Sequence, residues 1–177
     1  PLQSGDTSVL NKMRRNYNSA QYLDVIHRVT EKVPNVGLGA DVIVGFPGET
    51  SERFENTRDM ISHLPFSYLH VFSYSGRNGT EAFDFSDSVP KDEKKLRNKE
   101  LTELAQTKSL DFQKKFLGQT VSILFEEQRD RKTSLLKGYS EHYIPVLAEG
   151  DDSLINQIVP VKIQKINDGQ VFGCVQS

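Results

Sequence analysis

The sequence predicts an α/β domain, with parallel strands alternating with helices, followed by a small all-β, OB-like barrel. Three observations carry that expectation. Hydrophobic spacing switches between helical and strand-like periods up to residue 74, and Pro90 then opens one long charged helix. After Gly118 the chain breaks into short apolar or alternating runs separated by charged or Gly/Asp/Asn turns. The expected domains are therefore residues 1–117, including the connecting helix, and residues 118–177.

Each element has its own reason. "PLQSG" reads as the end of a strand passing into a loop. Asn18 caps a helix with Tyr22, Ile26, Val29 and Val33 on one face, and Pro34 stops it. Residues 36–44 end in the continuous apolar run "VIV", the pattern of a strand buried on both faces. After the turn "GFPGET", Thr50 caps a second helix lined by Phe54, Thr57, Ile61 and Leu64 and ended by Pro65. "SYLHVFSY" is the next strand. The following loop, "SGRNGTEAFDFSDSV", is about fifteen residues long, a length that is often functional or mobile. In the long helix, Leu101, Leu104, Leu110, Phe112 and Phe116 form no clean single stripe, and Gly118 terminates it. The last five runs are "QTVSILFEE", "TSLLKGYS", "YIPVLAEG", "QIVPVKIQKI" and "QVFGCVQS". Two complete strands and a strand end leave sheet edges open, so the chain is expected to be a fragment or to associate.

Composition narrows the function. A hydrophobic content of 36% supports a core, and no run approaches the roughly 18 apolar residues of a membrane span. No charged-then-apolar leader is present, and the expected location is cytoplasmic. The net charge of −2 is not a nucleic-acid signature. The single cysteine, Cys174, excludes an internal disulfide framework and a cysteine-built cluster within the chain, and the four histidines have no metal-ligand spacing.

Ligands of parallel α/β folds bind beyond the carboxyl ends of strands, where "GFPGET" lies. Gly45 and Gly48 permit positive φ or a close backbone approach, and Pro47 stiffens the turn. The same residues also suit a bare strand-to-helix connection, and local pattern leaves both readings open. Asp41, within an apolar strand, calls for a partner if buried. Arg14 and Arg15 are ordinarily a solvated pair; pointing into a cleft, one could clamp a carboxylate. Gln3 and Ser4 suit a ribose or an amino-acid group. Tyr74 and Arg77, with Gly76 and Gly79, make either a substrate-facing loop or a plain turn. In the β-module, Arg131, Lys137, Tyr139 and Tyr143 could neutralise and stack on a nucleic-acid strand, against which the module's acidic balance counts. A module that only packs against its neighbour fits the pattern equally.

Four stretches in order, "PLQSGDTSVLNKMRRNY", "ADVIVGFPGETSERF", "LHVFSYSGRNGT" and "LKGYSEHYIPVLAEGDDSLINQIVPVKI", resemble the C-terminal half of a radical S-adenosylmethionine methylthiotransferase. Within that family, "MRRNY", "LHVFSYSGRNGT" and "GYSEHYIPV" look more like the branch acting on threonylcarbamoyladenosine next to the tRNA anticodon. The alternatives are the isopentenyladenosine branch, the branch modifying a ribosomal protein aspartate, and a non-catalytic RNA-binding module. The resemblance implies a partial radical-SAM TIM-like barrel and a TRAM-type module that binds the anticodon stem-loop of tRNA. It also implies S-adenosylmethionine and two 4Fe-4S clusters, whose cysteine ligands this chain lacks, so that the chain alone is expected to be inactive and to depend on N-terminal domains of the same protein. By resemblance Gln3 and Ser4 face the ribose or methionine part of the cofactor and Arg14 its carboxylate. Asp41, Ile43, Gly45 and Phe46 line the adenine side, and Val71 and Phe72 close it. No catalytic or metal-binding residue is assigned within the chain.

Overall fold

The structure is a computed structural model that describes residues 1–176. The chain packs as two units, Pro1–Lys108 and Ser109–Ser177.

The first unit contains α1 (Thr7–Lys12), α2 (Ser19–Lys32), β1 (Gly39–Val44), α3 (Ser51–His63), β2 (Tyr68–Ser73) and most of α4 (Lys91–Lys114). The strands β1 and β2 pair in parallel, Asp41 opposite His70 and Ile43 opposite Phe72. Gln3 adds a single parallel bridge on the other side of β1: its N–H donates to the Asp41 carbonyl at 2.8 Å, and its own carbonyl accepts from Ile43 N–H at 2.9 Å. The helix starts are chemically specified. Asn18 and Gln21 form a reciprocal capping box on α2, and Thr50 accepts from the Arg53 N–H at the start of α3.

The strand β1 is not buried on both faces, as its apolar run suggests. Ala40, Val42 and Val44 enter a core with Leu2, Ile26, Phe54, Ile61, Leu64, Phe66 and Leu101, whereas Asp41 and Ile43 are only partly buried. Side chains alternate along a strand, so a three-residue apolar run serves two environments: a core below and a cleft above. On α2 only Ile26 is fully buried, and Val33, its C-cap, is exposed.

In the second unit, β3 (Thr120–Phe125), β4 (Leu136–Ser140), β5 (Pro145–Glu149), β6 (Ile158–Asn167) and β7 (Gln170–Val175) close a barrel in the order β3-β4-β5-β7-β6. Only β5 and β7 run parallel. Closure removes the exposed edges a small sheet would otherwise present. Val121, Ile123, Phe125, Leu136, Val146, Ala148, Val161, Ile163 and Val171 fill the interior together with Phe112 and Phe116. Those two phenylalanines explain why the units divide within α4, between Lys108 and Ser109, and not at the Gly118 boundary that the sequence suggests. The helix's last turn belongs to the barrel's core.

Gly138 meets a steric requirement inside the barrel. A Cβ there would lie 2.4 Å from the Leu124 carbonyl oxygen on the neighbouring strand.

Candidate functional site

A cleft opens at the carboxyl end of β1 and β2, and two lobes share Gln3, Ile43, Tyr74 and Ala82. One lobe, about 490 Å³, is completed by Asp41, Phe72, Ser73, Ser75, Arg77 and Thr80. The other, about 340 Å³, is completed by residues that include Lys12, Arg14, Phe46, Glu81 and Phe85. These volumes match cavities that hold small organic ligands.

Strand alternation sorts the expected residues. Gln3, Asp41, Ile43 and Phe72 project into the cleft. Ser4 turns the other way: its hydroxyl bonds Thr57 Oγ1 at 3.1 Å and accepts from Asp6 N–H at 3.2 Å, so it ties the loop to α3 and lines neither lobe. Val71 packs against the core, and its carbonyl accepts from Asn98 Nδ2 at 3.2 Å. Tyr74 and Arg77 lie at the cleft as expected from the loop after β2. Arg14 lines the smaller lobe, is largely exposed, and forms an ion pair with Glu81.

Two buried polar atoms in the shared part of the cleft, Gln3 Oε1 and Tyr74 Oη, have no hydrogen-bond partner among the described residues. Native interiors satisfy nearly all such atoms, so the pair is available to water or to a polar ligand entering the cleft. The Asp41 carboxylate adds an uncommitted acceptor beside them, since no described hydrogen bond or ion pair engages it. Aromatic edges complete the wall: Phe46 meets Tyr74 at 5.0 Å and Phe85 at 6.4 Å, both edge-on. Gln3, Asp41, Ile43, Phe46, Tyr74 and Arg14, six of the residues singled out in the sequence, thus line the two lobes together.

Of the "GFPGET" stretch only Phe46 lines the cleft; Gly45, expected on the adenine side, lines neither lobe, and Gly48, Glu49 and Thr50 line a separate pocket. Glu49 N–H donates to the Phe46 carbonyl at 2.9 Å, and Gly48, third in this four-residue turn, has φ 84°. Proline second and a positive-φ glycine third are the residues of a type II turn. Gly45 also has positive φ, 73°, and its N–H donates to Glu49 Oε2 at 2.9 Å. Burial pushes the Glu49 carboxyl up from its ordinary 4.5, while Arg97 and the Gly45 and Phe46 N–H groups pull it down. The loop from residue 75 to 89 is tied to this turn. Gly48 N–H donates to the Asp87 carbonyl at 2.8 Å, and Lys12 pairs with the Asp87 carboxylate.

Three cleft residues, Lys12, Glu81 and Phe85, escaped sequence reasoning, as did Glu49, Lys94 and Arg97, which line neither lobe and bond to the turn and to the Tyr74 carbonyl. Only Glu49 had a local signal, as the acid closing the turn. The others arrive from elements distant in sequence.

In the barrel, Tyr139 and Tyr143 stack with centroids 5.1 Å apart, and Lys137 lies 5.7 Å above the Tyr139 ring while pairing with Glu126 at 2.9 Å. Ser140 Oγ holds the turn between them by accepting from His142 and Ile144 N–H. Arg131, in the β3–β4 loop, lines a mixed-charge pocket together with Lys137, Lys132, Glu126, Glu127 and Asp130. Lys137 thus belongs both to the aromatic pair and to the pocket that holds Arg131.

Comparison with known proteins finds similarity in both units. Residues 1–61, which contain the bridge strand, β1 and the glycine turn, match the family model described as Radical SAM superfamily. At the level of individual proteins, the chain is 39% identical over 176 residues to a tRNA-2-methylthio-N(6)-dimethylallyladenosine synthase of Protochlamydia amoebophila, covering 99% of this chain and 39% of that protein. It is 38% identical to the protein of the same name from Geobacillus kaustophilus and 36% identical to that from Bacillus subtilis, covering 98% of this chain in both and 33% and 35% of those proteins. The chain therefore spans between 33% and 39% of the length of these curated relatives.

Iron–sulfur ligation does not fit the residues present. Such clusters are held by several cysteine thiolates, and the chain has one, Cys174, exposed on β7. Among the described residues no three His, Cys, Asp or Glu side chains group as metal ligands. No described helix is long and apolar enough to cross a membrane.

Proposed function

We propose that the chain is the part of a radical S-adenosylmethionine tRNA methylthiotransferase that carries one wall of the cofactor cleft and a TRAM-type RNA-contacting barrel, and that its target is dimethylallyladenosine. The observation that carries this reading is co-linear similarity across 98–99% of the chain, through both units, to proteins named for that reaction. It replaces the threonylcarbamoyladenosine branch that "MRRNY" and "GYSEHYIPV" suggest, because short segments shared by sister branches carry less weight than similarity over the whole chain.

S-adenosylmethionine supplies radical chemistry when bound, and the iron–sulfur centres that chemistry needs belong to residues outside this chain. The chain's own contribution is orientation. Gln3 and Tyr74 offer unsatisfied polar atoms, Asp41 accepts from an amine or hydroxyl, and Ile43, Phe46 and Phe72 provide apolar walls that exclude water. Arg14 reaches a ligand carboxylate only by leaving Glu81. In the barrel, the Tyr139–Tyr143 stack with Lys137 offers a ring platform and a cation to an unpaired base of the anticodon stem-loop.

The test is methylthiolation by the protein encoded by the entire reading frame, reconstituted with iron and sulfide. Transfer RNA carrying dimethylallyladenosine should gain the methylthio group, and RNA carrying threonylcarbamoyladenosine should not. The reverse pattern would restore the sister branch.

A further inference from the structure

The charged pair behind the glycine turn does more than hold α4 in place. Arg97 and Glu49 are almost wholly buried, with 5% and 3% of their side chains exposed. Arg97 Nη1 donates to Glu49 Oε1 at 2.9 Å and to the Glu49 backbone carbonyl at 2.8 Å, and its Nε donates to Glu93 Oε1 at 3.0 Å. Its guanidinium also lies 5.2 Å from the centre of the Phe54 ring. Burying two charges is costly, and replacing such a pair with apolar side chains is often neutral or stabilising. Stability alone is therefore a weak reason for the pair, and its hydrogen bonds show another. The Glu49 carboxylate that Arg97 grips with one oxygen accepts from Gly45 N–H with the other. Gly45 immediately precedes Phe46, the aromatic that lines the cleft and braces Tyr74.

We propose that Arg97 is a positioning residue for the cleft: acting through Glu49, it fixes the Gly45–Glu49 turn and so places Phe46, and with it Tyr74, against the ligand. Lys94, one helical turn earlier on the same face, seconds it. Its Nζ lies 5.2 Å over the Tyr74 ring and 3.4 Å from the Tyr74 carbonyl, and its side chain fills the space that a Cβ on Gly45 would need. One face of α4 thus clamps both sides of the aromatic wall. The inference rests on the reading of the cleft as a cofactor site, and it assigns a role to a helix beyond the matched residues 1–61.

The experiment uses the full-length protein, with S-adenosylhomocysteine as the ligand probe and hydrogen exchange at the Gly45 amide as an independent readout. Arg97→Met alone strands a buried carboxylate and is expected to melt early. Arg97→Met with Glu49→Gln removes both charges and is expected to melt close to the unsubstituted protein. The double variant should nevertheless exchange the Gly45 amide faster and bind the probe about ten-fold more weakly, the scale of a lost charge-assisted hydrogen bond. Arg97→Lys keeps the charge but cannot grip carboxylate and carbonyl together as a planar fork does, and it should show a smaller loss of the same kind with little change in melting. Unchanged affinity and Gly45 exchange in the double variant and in Arg97→Lys would overturn the proposal. Failure of the unsubstituted protein to bind the probe would instead overturn the cofactor reading, leaving the exchange measurement to judge the turn.

Discussion

Gln3 and Ser4 are neighbours in sequence and opposites in role, which shows how a single residue's place in the pleat decides its chemistry. Gln3 turns an unsatisfied oxygen into the cleft, and Ser4 is consumed by Thr57 and the Asp6 N–H. The same sorting separates Phe72 from Val71. Gln3→Leu keeps the bulk and removes the polar atom, so S-adenosylhomocysteine should bind about five-fold more weakly, the scale of one neutral hydrogen bond. Calorimetric titration would measure this, and an unchanged affinity would remove Gln3 from the site. Gly48→Ala places a side chain at φ 84° and within 2.3 Å of Lys12 Nζ and 2.7 Å of Asp87 Oδ2. Left-handed strain and the displaced ion pair should together cost about 1–2 kcal/mol, read from denaturant unfolding of the same protein. Gly48 was legible in the sequence because a turn of this type requires a glycine at its third position. Arg97 was not legible, since nothing near "KKLRNKE" distinguishes a buried arginine from a solvated one.

At the level of elements, α4 was the least readable and is the most informative. Its apolar positions make no single stripe because one face changes partners along its length. Lys94, Arg97 and Asn98 donate to the carbonyls of Tyr74, Glu49 and Val71, Leu101 and Leu104 join the first core, and Phe112 and, two residues past the helix's end, Phe116 join the barrel's. Helical periodicity detects burial against apolar surface and cannot detect a face that is buried by hydrogen bonding. Phe116→Ala should cost about 3–5 kcal/mol of barrel stability, since the side chain is 2% exposed and shares the core with Phe125 and Ile163. The loop over the cleft depends on Lys12 and Asp87, whose carboxyl the lysine holds below its ordinary 3.8. A carboxyl with a lowered folded value contributes above its unfolded value and loses that contribution as pH falls through the lowered one. Proteolytic protection of residues 75–89 should therefore persist down to the ordinary aspartate range and fade only below it. Asp87→Asn should abolish that dependence, and a loop whose susceptibility is flat with pH in the unsubstituted protein would contradict this.

Taken whole, the molecule pairs a cleft-bearing α/β unit with a closed five-stranded barrel, and both were visible in the order of hydrophobic periods. The strand runs after Gly118 anticipated all five barrel strands, because antiparallel hairpins announce themselves through turn residues and alternation. The cleft was legible only as a location, the end of β1; which atoms remain unsatisfied there follows from contacts between residues as far apart as Gln3 and Tyr74. The substrate was hardest to read, because the side chains that line the cleft carry no chemistry that separates one modified adenosine from another. The most direct test of the central claim is nucleoside mass analysis of tRNA from cells lacking the gene. Loss of methylthio-dimethylallyladenosine with accumulation of unthiolated dimethylallyladenosine is the predicted result. An unchanged level of that nucleoside, with loss of the methylthio group from threonylcarbamoyladenosine instead, would contradict the assignment.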